Sequence, residues 1–434
     1  MTLRSSLLER NHEIGMFVAA SDARSRPASC ATPSPRATGR AEQGSTSKTS
    51  AGGGRDARAP RLARGGQSWG RREHRRFRRD SRCDRRARHA AAHRRDRRTR
   101  HRRLRHQERS ATLALRASLL EHNHDTGVVV GGSIATIEAT IVRGTQPARD
   151  GAGGAGITVQ YGTTADERAM LTLRNSLLEQ NHYAGVNVLG SDATVEATVV
   201  RDTQPLLDEI GGVGIAILES LDTQERAKAT LRAVLLSQNH GAGVLVSGSD
   251  ATVEAIVARD TQPFTDGTGG HGVEIQNGNG RSEATVRASL LEHNRNAGVL
   301  VAGSDATIET TVVRGTQVSR NETDASGVTI QGDRIGGRSE VTVRASLLEQ
   351  NQDRGMEILG SDATIEATVI RDTQTRSDGT NGLGALIAYY PTTKERAKVT
   401  LRGSLVEQNR DVGVFVQGAD ARGDRRARHP AQRR

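Results

Sequence analysis

A tandem repeat of 55–58 residues constrains this chain more than any other feature. Its marker is a leucine followed by leucine or valine, which recurs at Leu119, Leu177, Leu235, Leu290, Leu347 and Leu405. Each repeat holds two halves, because residues 171–181 align with residues 193–203, 22 positions later. Such repetition indicates a solenoid, in which each half-repeat buries its apolar face only by stacking on its neighbours.

Each half-repeat has the pattern of short β-strands. Apolar residues alternate at Ala193, Val195, Ala197 and Val199, and a period of two is typical of strands. Valine, isoleucine and threonine dominate, while glycine and asparagine mark the corners. No helical stretch separates the strands, so we predict an all-β solenoid of stacked parallel coils.

The half-repeat follows the pattern T-h-x-x-S-h-h-x-x-N-x-x-x-G-h-x-h, where h is apolar. This pattern resembles the right-handed parallel β-helix repeat of the pectate-lyase-like superfold, and the resemblance covers Ala111–Ala421. It implies about eleven coils and a rod roughly 50 Å long. A leucine-rich repeat is the rival solenoid, but valine, isoleucine and glycine occupy the positions where that repeat needs leucine.

Four segments follow from the repeat. Residues 1–23 form one isolated coil, and residues 24–110 form an arginine-rich, low-complexity segment that is disordered or translated out of frame. Residues 111–421 form the β-helix, and residues 422–434 form a basic tail that is also out of frame. The string DRRARH stands at residues 84–89 and 424–429, and codons for ATVVRDT encode it when read from their third base. We therefore predict that both basic segments arise from frameshifts.

The basic charge of the chain belongs to these two segments. The whole chain carries +12, whereas residues 24–110 carry +21 and residues 422–434 carry +5, which leaves −14 for the coils. Both cysteines, Cys30 and Cys83, also lie in the arginine-rich segment, so the coils contain no cysteine from which to infer a redox compartment. We therefore expect nucleic-acid binding only if the arginine-rich segment is translated as written.

Homologous positions form ladders when the coils stack. One ladder alternates Arg116, Glu138, Arg174 and Glu196 and continues to Arg402; another runs in the opposite phase from Glu121 to Glu407. A third alternates asparagine and threonine, beginning Asn123, Thr145, Asn181. We predict ion pairs between neighbouring coils, and asparagine side chains bonded to the corner backbone. A charge that recurs in every coil is structural rather than catalytic.

The candidates for calcium ligands are five aspartates that recur in one insertion: Asp150, Asp208, Asp266, Asp324 and Asp378. They would lie ~9–10 Å apart, which is too far for two of them to share one Ca²⁺. Aspartate is also an ordinary turn residue. We therefore predict no metal site, no cofactor and no catalytic residue.

Three functions compete. The near-identical coils and the lack of a distinct polar cluster favour a non-enzymatic structural or surface-exposed rod, adhesin-like or carbohydrate-binding, with a polysaccharide or cell-surface ligand. The resemblance implies a polysaccharide lyase or hydrolase as the alternative, and the arginine-rich segment implies a polyanion-binding protein. We expect an extracellular or cell-surface location, although no signal peptide is visible in this chain. No apolar run approaches the ~18 residues of a membrane span.

Overall fold

The computed structural model describes residues 1–11, 14–19, 111–162, 168–319, 325–333 and 337–423, and all regular structure within them is β-strand. The strands form three sheets in which every pair is parallel. Successive strands of the chain enter the first, second and third sheet in turn, so three strands complete one coil.

The first sheet has thirteen described strands, which are listed here in spatial order: β1 (Thr2–Arg4), β4 (Thr112–Arg116), β7 (Ile134–Glu138), β10 (Met170–Arg174), β13 (Asp192–Glu196), β16 (Lys228–Arg232), β19 (Asp250–Glu254), β22 (Glu283–Arg287), β25 (Asp305–Glu309), β28 (Glu340–Arg344), β31 (Asp362–Glu366), β34 (Lys398–Arg402) and β37 (Asp420–Gly423).

The second sheet has twelve described strands of three residues each, listed in the same way: β2 (Leu7–Glu9), β5 (Leu119–Glu121), β8 (Ile141–Arg143), β11 (Leu177–Glu179), β14 (Val199–Arg201), β17 (Leu235–Ser237), β20 (Val257–Arg259), β23 (Leu290–Glu292), β26 (Val312–Arg314), β29 (Leu347–Glu349), β32 (Val369–Arg371) and β35 (Leu405–Glu407).

The third sheet also has twelve described strands: β3 (Met16–Ala19), β6 (Thr126–Gly131), β9 (Ala155–Gln160), β12 (Ala184–Leu189), β15 (Val213–Leu218), β18 (Ala242–Ser247), β21 (His271–Gln276), β24 (Ala297–Ala302), β27 (Ser326–Gln331), β30 (Arg354–Leu359), β33 (Leu383–Ala388) and β36 (Val414–Gln417).

The core is a stack of identical positions. Leu173 lies in register with Val195, and Val195 with Leu231, and all three side chains are fully buried. Inward and outward residues alternate along each strand, so a shift by one residue would expose the whole apolar set. The predicted all-β solenoid of parallel coils is confirmed.

A single residue turns the chain from the first sheet to the second. In the coil that contains β13 this residue is Ala197, with a left-handed φ of 45°, and its N–H donates to the carbonyl of Arg232 in the next coil at 3.0 Å. We expected glycine and asparagine at the corners, but alanine stands at this corner in most coils. The hydrogen bond to the next coil accompanies the strained conformation at each turn.

A buried asparagine ladder joins the coils at the next corner. The Asn239 side chain is fully buried, its Oδ1 accepts from Thr203 N–H at 3.1 Å, and its Nδ2 donates to the Val200 carbonyl at 3.1 Å. Asn181 makes the same two bonds to Thr145 and Val142. The predicted bonding of asparagine to the corner backbone is confirmed, and it satisfies groups that the bend takes out of the strand ladders.

The predicted ion-pair ladders are confirmed as well. In the first sheet, Arg174 lies 2.9 Å from Glu196. In the second sheet, Arg201 lies 2.6 Å from Glu179.

Two types of coil alternate along the array. Coils with arginine in the first sheet and glutamate in the second are called R–E coils here, and coils with the opposite arrangement are called E–R coils. From β4 onward the described coils alternate strictly between the two, although Ser237 replaces one glutamate.

The first coil, residues 1–19, does not stand alone as predicted. Its strands β1, β2 and β3 pair in register with β4, β5 and β6, because its apolar positions match those of that coil. At the other end, β37 includes Arg422 and Gly423, so the array runs two residues into the segment predicted as a tail. The remaining residues of both predicted out-of-frame segments lie outside the described residues, and their frame stays a prediction.

We expect Asn239→Ala to lower the free energy of unfolding by about 2–4 kcal/mol, because it leaves the buried Thr203 N–H and Val200 carbonyl without partners. Asn409→Ala is the matched control, since Asn409 makes the same contacts but is only partly buried. Denaturant unfolding followed by circular dichroism measures both. Equal losses for the two variants would contradict the importance of burial along this ladder.

Candidate functional site

The aspartates considered as calcium ligands close their own turns. Asp150, Asp208, Asp266 and Asp378 each accept a hydrogen bond from the backbone N–H two residues later. The hydroxyl of the following threonine also donates to Asp266, which lowers the pKa of that carboxyl. Asp324 lies outside the described residues. Within the described part of the chain, no three histidine, cysteine or acidic side chains are grouped to hold a metal ion.

The outer face of the first sheet carries three parallel rows. In β13 the outward residues are Asp192, Thr194 and Glu196, and homologous residues repeat in each coil. We call the three rows the edge row, the threonine row and the charge row. The threonine row is unbroken over ten consecutive strands: Thr136, Thr172, Thr194, Thr230, Thr252, Thr285, Thr307, Thr342, Thr364 and Thr400.

Two sections of a shallow groove lie on this face. One section of about 570 Å³ lies over β10, β13, β16, β19 and β22, with the threonine row on its floor and the edge row along one side. A second section of about 820 Å³ lies over β28, β31, β34 and β37. A row of hydroxyl groups flanked by charges offers hydrogen bonds at the strand spacing of ~4.8 Å, which suits an extended polar polymer.

Four arginines fasten the insertion loops along the edge row. Arg168 donates to Asp192 at 2.6 Å and to the Arg226 carbonyl at 2.8 Å. Arg226 in turn bonds Asp250 and the carbonyl of Arg281. The pattern continues through Arg281 and Arg338, which bond Asp305 and Asp362. These bonds hold the ends of the insertions against the groove.

Five carboxylates follow one another in the edge row. Asp250, Glu283, Asp305, Glu340 and Asp362 occupy successive strands in register. The three aspartates pair with arginines of the loops, whereas Glu283 and Glu340 are exposed and form no ion pair with any described residue. The row therefore alternates arginine-bound carboxylates with carboxylates that face solvent.

One coil contains a buried charged cluster that the sequence pattern did not reveal. Asp353 is fully buried and accepts from Arg376 at 2.8 Å and from Asn381 at 2.6 Å. Arg354 lies 3.3 Å from Asp353 and 3.1 Å from Glu357. We expected no distinct polar cluster. The only signal was the string QDRGMEI, which departs from the apolar consensus at this corner.

A second departure lies on the outer face of the third sheet. Glu274 stands in register between Leu245 and Leu300, and desolvation raises its pKa to about 7. His271 lies on the same strand, and desolvation lowers its pKa to about 4. Both side chains retain partial solvent exposure. These groups lie on a different face from the groove.

The arginine-rich segment predicted as a polyanion-binding arm lies outside the described residues. Among the residues that are described, no helix is long and apolar enough to cross a membrane.

Solved structures share this architecture at low sequence identity. The periplasmic alginate epimerase AlgG matches with 10% identity and a TM-score of 0.35, over 71% of this chain and 76% of that one. Pectate lyase Pel9A matches with 10% identity and a TM-score of 0.36, over 72% and 70% of the two chains. The mannuronan C-5 epimerase AlgE4 A-module of Azotobacter vinelandii matches with 12% identity and a TM-score of 0.39, over 74% and 90%.

The chain is a right-handed parallel β-helix. Its three all-parallel sheets, which successive strands of the chain enter in turn, show this fold. No protein-family model and no curated protein matches the chain. For this β-helix, identities near one tenth show the fold alone.

The comparisons contradict our main functional prediction, a non-enzymatic structural rod. The similar structures include an alginate epimerase, a pectate lyase and an α-1,3-glucanase, all of which are enzymes by name. That prediction rested on the repetition of charged residues from coil to coil. Such repetition does not exclude an active site formed by some residues of a repeated row.

We predict opposite pH dependences of stability for two variants of the third sheet. Folding raises the pKa of Glu274, so its contribution to stability is lost as the pH rises from about 4.5 to 7. Folding lowers the pKa of His271, so its contribution is lost as the pH falls from 6.5 to about 4. The two effects oppose each other in the unmodified protein.

In Glu274→Gln only the His271 effect remains, so the free energy of unfolding should rise with pH between about 4 and 6.5. In His271→Gln only the Glu274 effect remains, so the free energy of unfolding should fall with pH between about 4.5 and 7. Partial exposure limits each effect to about 1–2 kcal/mol. Urea unfolding at several pH values measures both slopes. Parallel slopes in the two variants would show that one of these pKa directions is wrong.

Proposed function

We propose that this β-helix is a polysaccharide-cleaving enzyme that binds its substrate along the outer face of the first sheet. The observation that carries the proposal is the placement of Glu283 beside Asp250 at one wall of the groove. Adjacent strands lie ~4.8 Å apart, close to the roughly 5–5.5 Å between carboxyl groups that retaining glycoside hydrolysis requires.

The two carboxyl groups differ in their surroundings. Arg226 forms an ion pair with Asp250, while Glu283 is exposed and has no ion-pair partner among the described residues. We assign Glu283 as the proton donor to the glycosidic oxygen and Asp250 as the carboxylate that attacks or stabilises the sugar carbon. Water then completes hydrolysis, with the proton returning to Glu283.

The threonine row is assigned to substrate binding. Hydroxyl groups donate and accept hydrogen bonds, and Thr194, Thr230 and Thr252 line the groove beside the two carboxyl groups. Insertion ends fixed by Arg226 and Arg281 keep this wall in place without substrate, which reduces the entropy lost on binding. We expect the protein to act outside the cytoplasm, where it would meet a polysaccharide.

The test is an activity assay on alginate, pectate and α-1,3-glucan, the polymers to which the compared enzymes' names refer. Reducing ends report hydrolysis, and the ultraviolet absorbance of unsaturated sugars reports elimination. We expect Glu283→Gln to lower kcat about 10²- to 10³-fold, because it removes the proton donor. Glu366→Gln, in the charge row, is the control that should retain activity.

Cleavage that survives equally in Glu283→Gln and Glu366→Gln would contradict the assignment of the carboxyl pair. Absence of any product from a panel of neutral, acidic and amino-sugar polysaccharides would contradict the enzymatic proposal itself. Unsaturated products would show that the reaction is elimination rather than hydrolysis. The candidate base would then be Lys228, which lies between Asp192 and Asp250 in the edge row.

A further inference from the structure

The alternation of R–E and E–R coils fails at one junction. Arg4 of the first coil lies in register with Arg116, and Glu9 lies in register with Glu121. Both coils are therefore R–E coils. The ten described junctions from β4 to β34 join coils of opposite type, as with Glu254 beside Arg287 at 3.0 Å.

The asparagine–threonine ladder fails at the same place. Asn11 stacks on Asn123, and both its N–H and its Nδ2 donate to the single Asn123 Oδ1, at 3.3 and 2.7 Å. In an alternating junction threonine takes that place: Thr261 N–H and Oγ1 both donate to Asn294 Oδ1, at 3.2 and 2.7 Å. The face of the coil that contains Asn123 is thus built to receive threonine, glutamate and arginine.

The first coil nevertheless keeps its backbone pairing with this face. Ser5 N–H donates to the Arg116 carbonyl and Arg10 N–H to the Glu121 carbonyl, each at 3.1 Å. Its core positions are less well covered than those of the interior, since Leu3 and Leu8 are only partly buried whereas Leu115 and Leu120 are fully buried. The first coil therefore keeps the backbone hydrogen bonds of an ordinary junction but places like charges beside each other. We expect it to stack on the next coil with a lower affinity than an E–R coil would.

We propose that the N-terminal face of the coil formed by β4, β5 and β6 is a docking surface for an E–R coil of another chain, and that the first coil occupies it reversibly. The partner is a β-helix coil of this same repeat, with glutamate over Arg116, arginine over Glu121 and threonine over Asn123. Charge complementarity selects that coil, because every interior R–E coil receives an E–R coil on this side.

The long chain segment between the two coils makes exchange feasible. Residues 20–110 separate the first coil from β4 along the chain, so a longer stretch of sequence tethers this coil to its docking site than joins any other two consecutive coils. A competing E–R coil has two advantages over the first coil. It places opposite charges beside Arg116 and Glu121, and it places threonine instead of asparagine beside Asn123. This partner is independent of the polysaccharide proposed for the groove.

The experiment adds a synthetic peptide, residues 250–276 of this chain, to the full-length protein. This E–R coil lies before an R–E coil in the array, so it carries the required surface. A control peptide carries Glu254→Arg and Arg259→Glu. Fluorescence anisotropy of the labelled peptides measures affinity, and hydrogen exchange of residues 1–19 measures displacement.

We expect the unmodified peptide to bind about 3- to 30-fold more tightly than the control, because two exposed ion pairs become two like-charge contacts. Hydrogen exchange of β1, β2 and β3 should speed up as it binds. The host variant Arg116→Glu/Glu121→Arg should reverse the preference of the two peptides. The host variant Arg4→Glu/Glu9→Arg should hold its own first coil more tightly and resist displacement.

Equal affinities for the two peptides, or no reversal in the charge-swapped host, would overturn the role of charge. No binding by either peptide would overturn the docking surface itself. If the full-length protein instead self-associates and this prevents peptide binding, the partner would be a second copy of the chain that docks through another face, and the proposed partner would be wrong.

Discussion

The structure depends on a buried hydrogen bond that recurs where each coil bends. A bend takes backbone N–H and carbonyl groups out of the strand ladders, and an unpaired buried group costs about 1–3 kcal/mol. The buried Asn181, Asn239 and Asn351 side chains meet this need by bonding the backbone of the neighbouring coil. The partner in the neighbouring coil is a threonine, so the smallest repeating unit is two coils rather than one.

The two-coil unit also governs charge. Arginine and glutamate alternate in the first and second sheets in opposite phases, so each interior coil attracts its neighbours on two sides of the rod. A slip by one coil would place like charges together throughout. Each exposed pair contributes little to stability by itself, and the alternation as a whole disfavours any register in which like charges meet.

This division leaves one face available for chemistry. The third sheet carries a mixture of apolar and polar residues, the second sheet carries paired charges, and the first sheet carries hydroxyl groups between charged rows. The Glu283 carboxyl is exposed without an ion pair among the described residues, whereas the carboxylates beside it are held by arginines. Carboxylates at the same position of successive coils therefore differ in their surroundings, because arginines of the insertion loops bind some of them and not others.

Much of the fold could be predicted from the sequence. Period-two apolar residues fix which side of each strand faces the core, and homologous spacing fixes register, so the Arg174–Glu196 pair and the Asn239 bonds followed directly. The groove wall could not be predicted, because the bonds from Arg226 and Arg281 depend on how the insertions fold back. The cluster at Asp353 and the desolvated Glu274 were also missed, since each is a single departure inside a strong consensus.

Opposite charge phases stabilise the contact between neighbouring coils. The most direct test reverses both charges of one interior coil, Glu309→Arg with Arg314→Glu, and measures the free energy of unfolding in low and high salt. Like charges would then meet Arg287 and Arg344 in the first sheet, and Glu292 and Glu349 in the second. The account predicts a loss of about 1–4 kcal/mol at low salt that largely disappears near 1 M salt. An unchanged free energy of unfolding at low salt would contradict it.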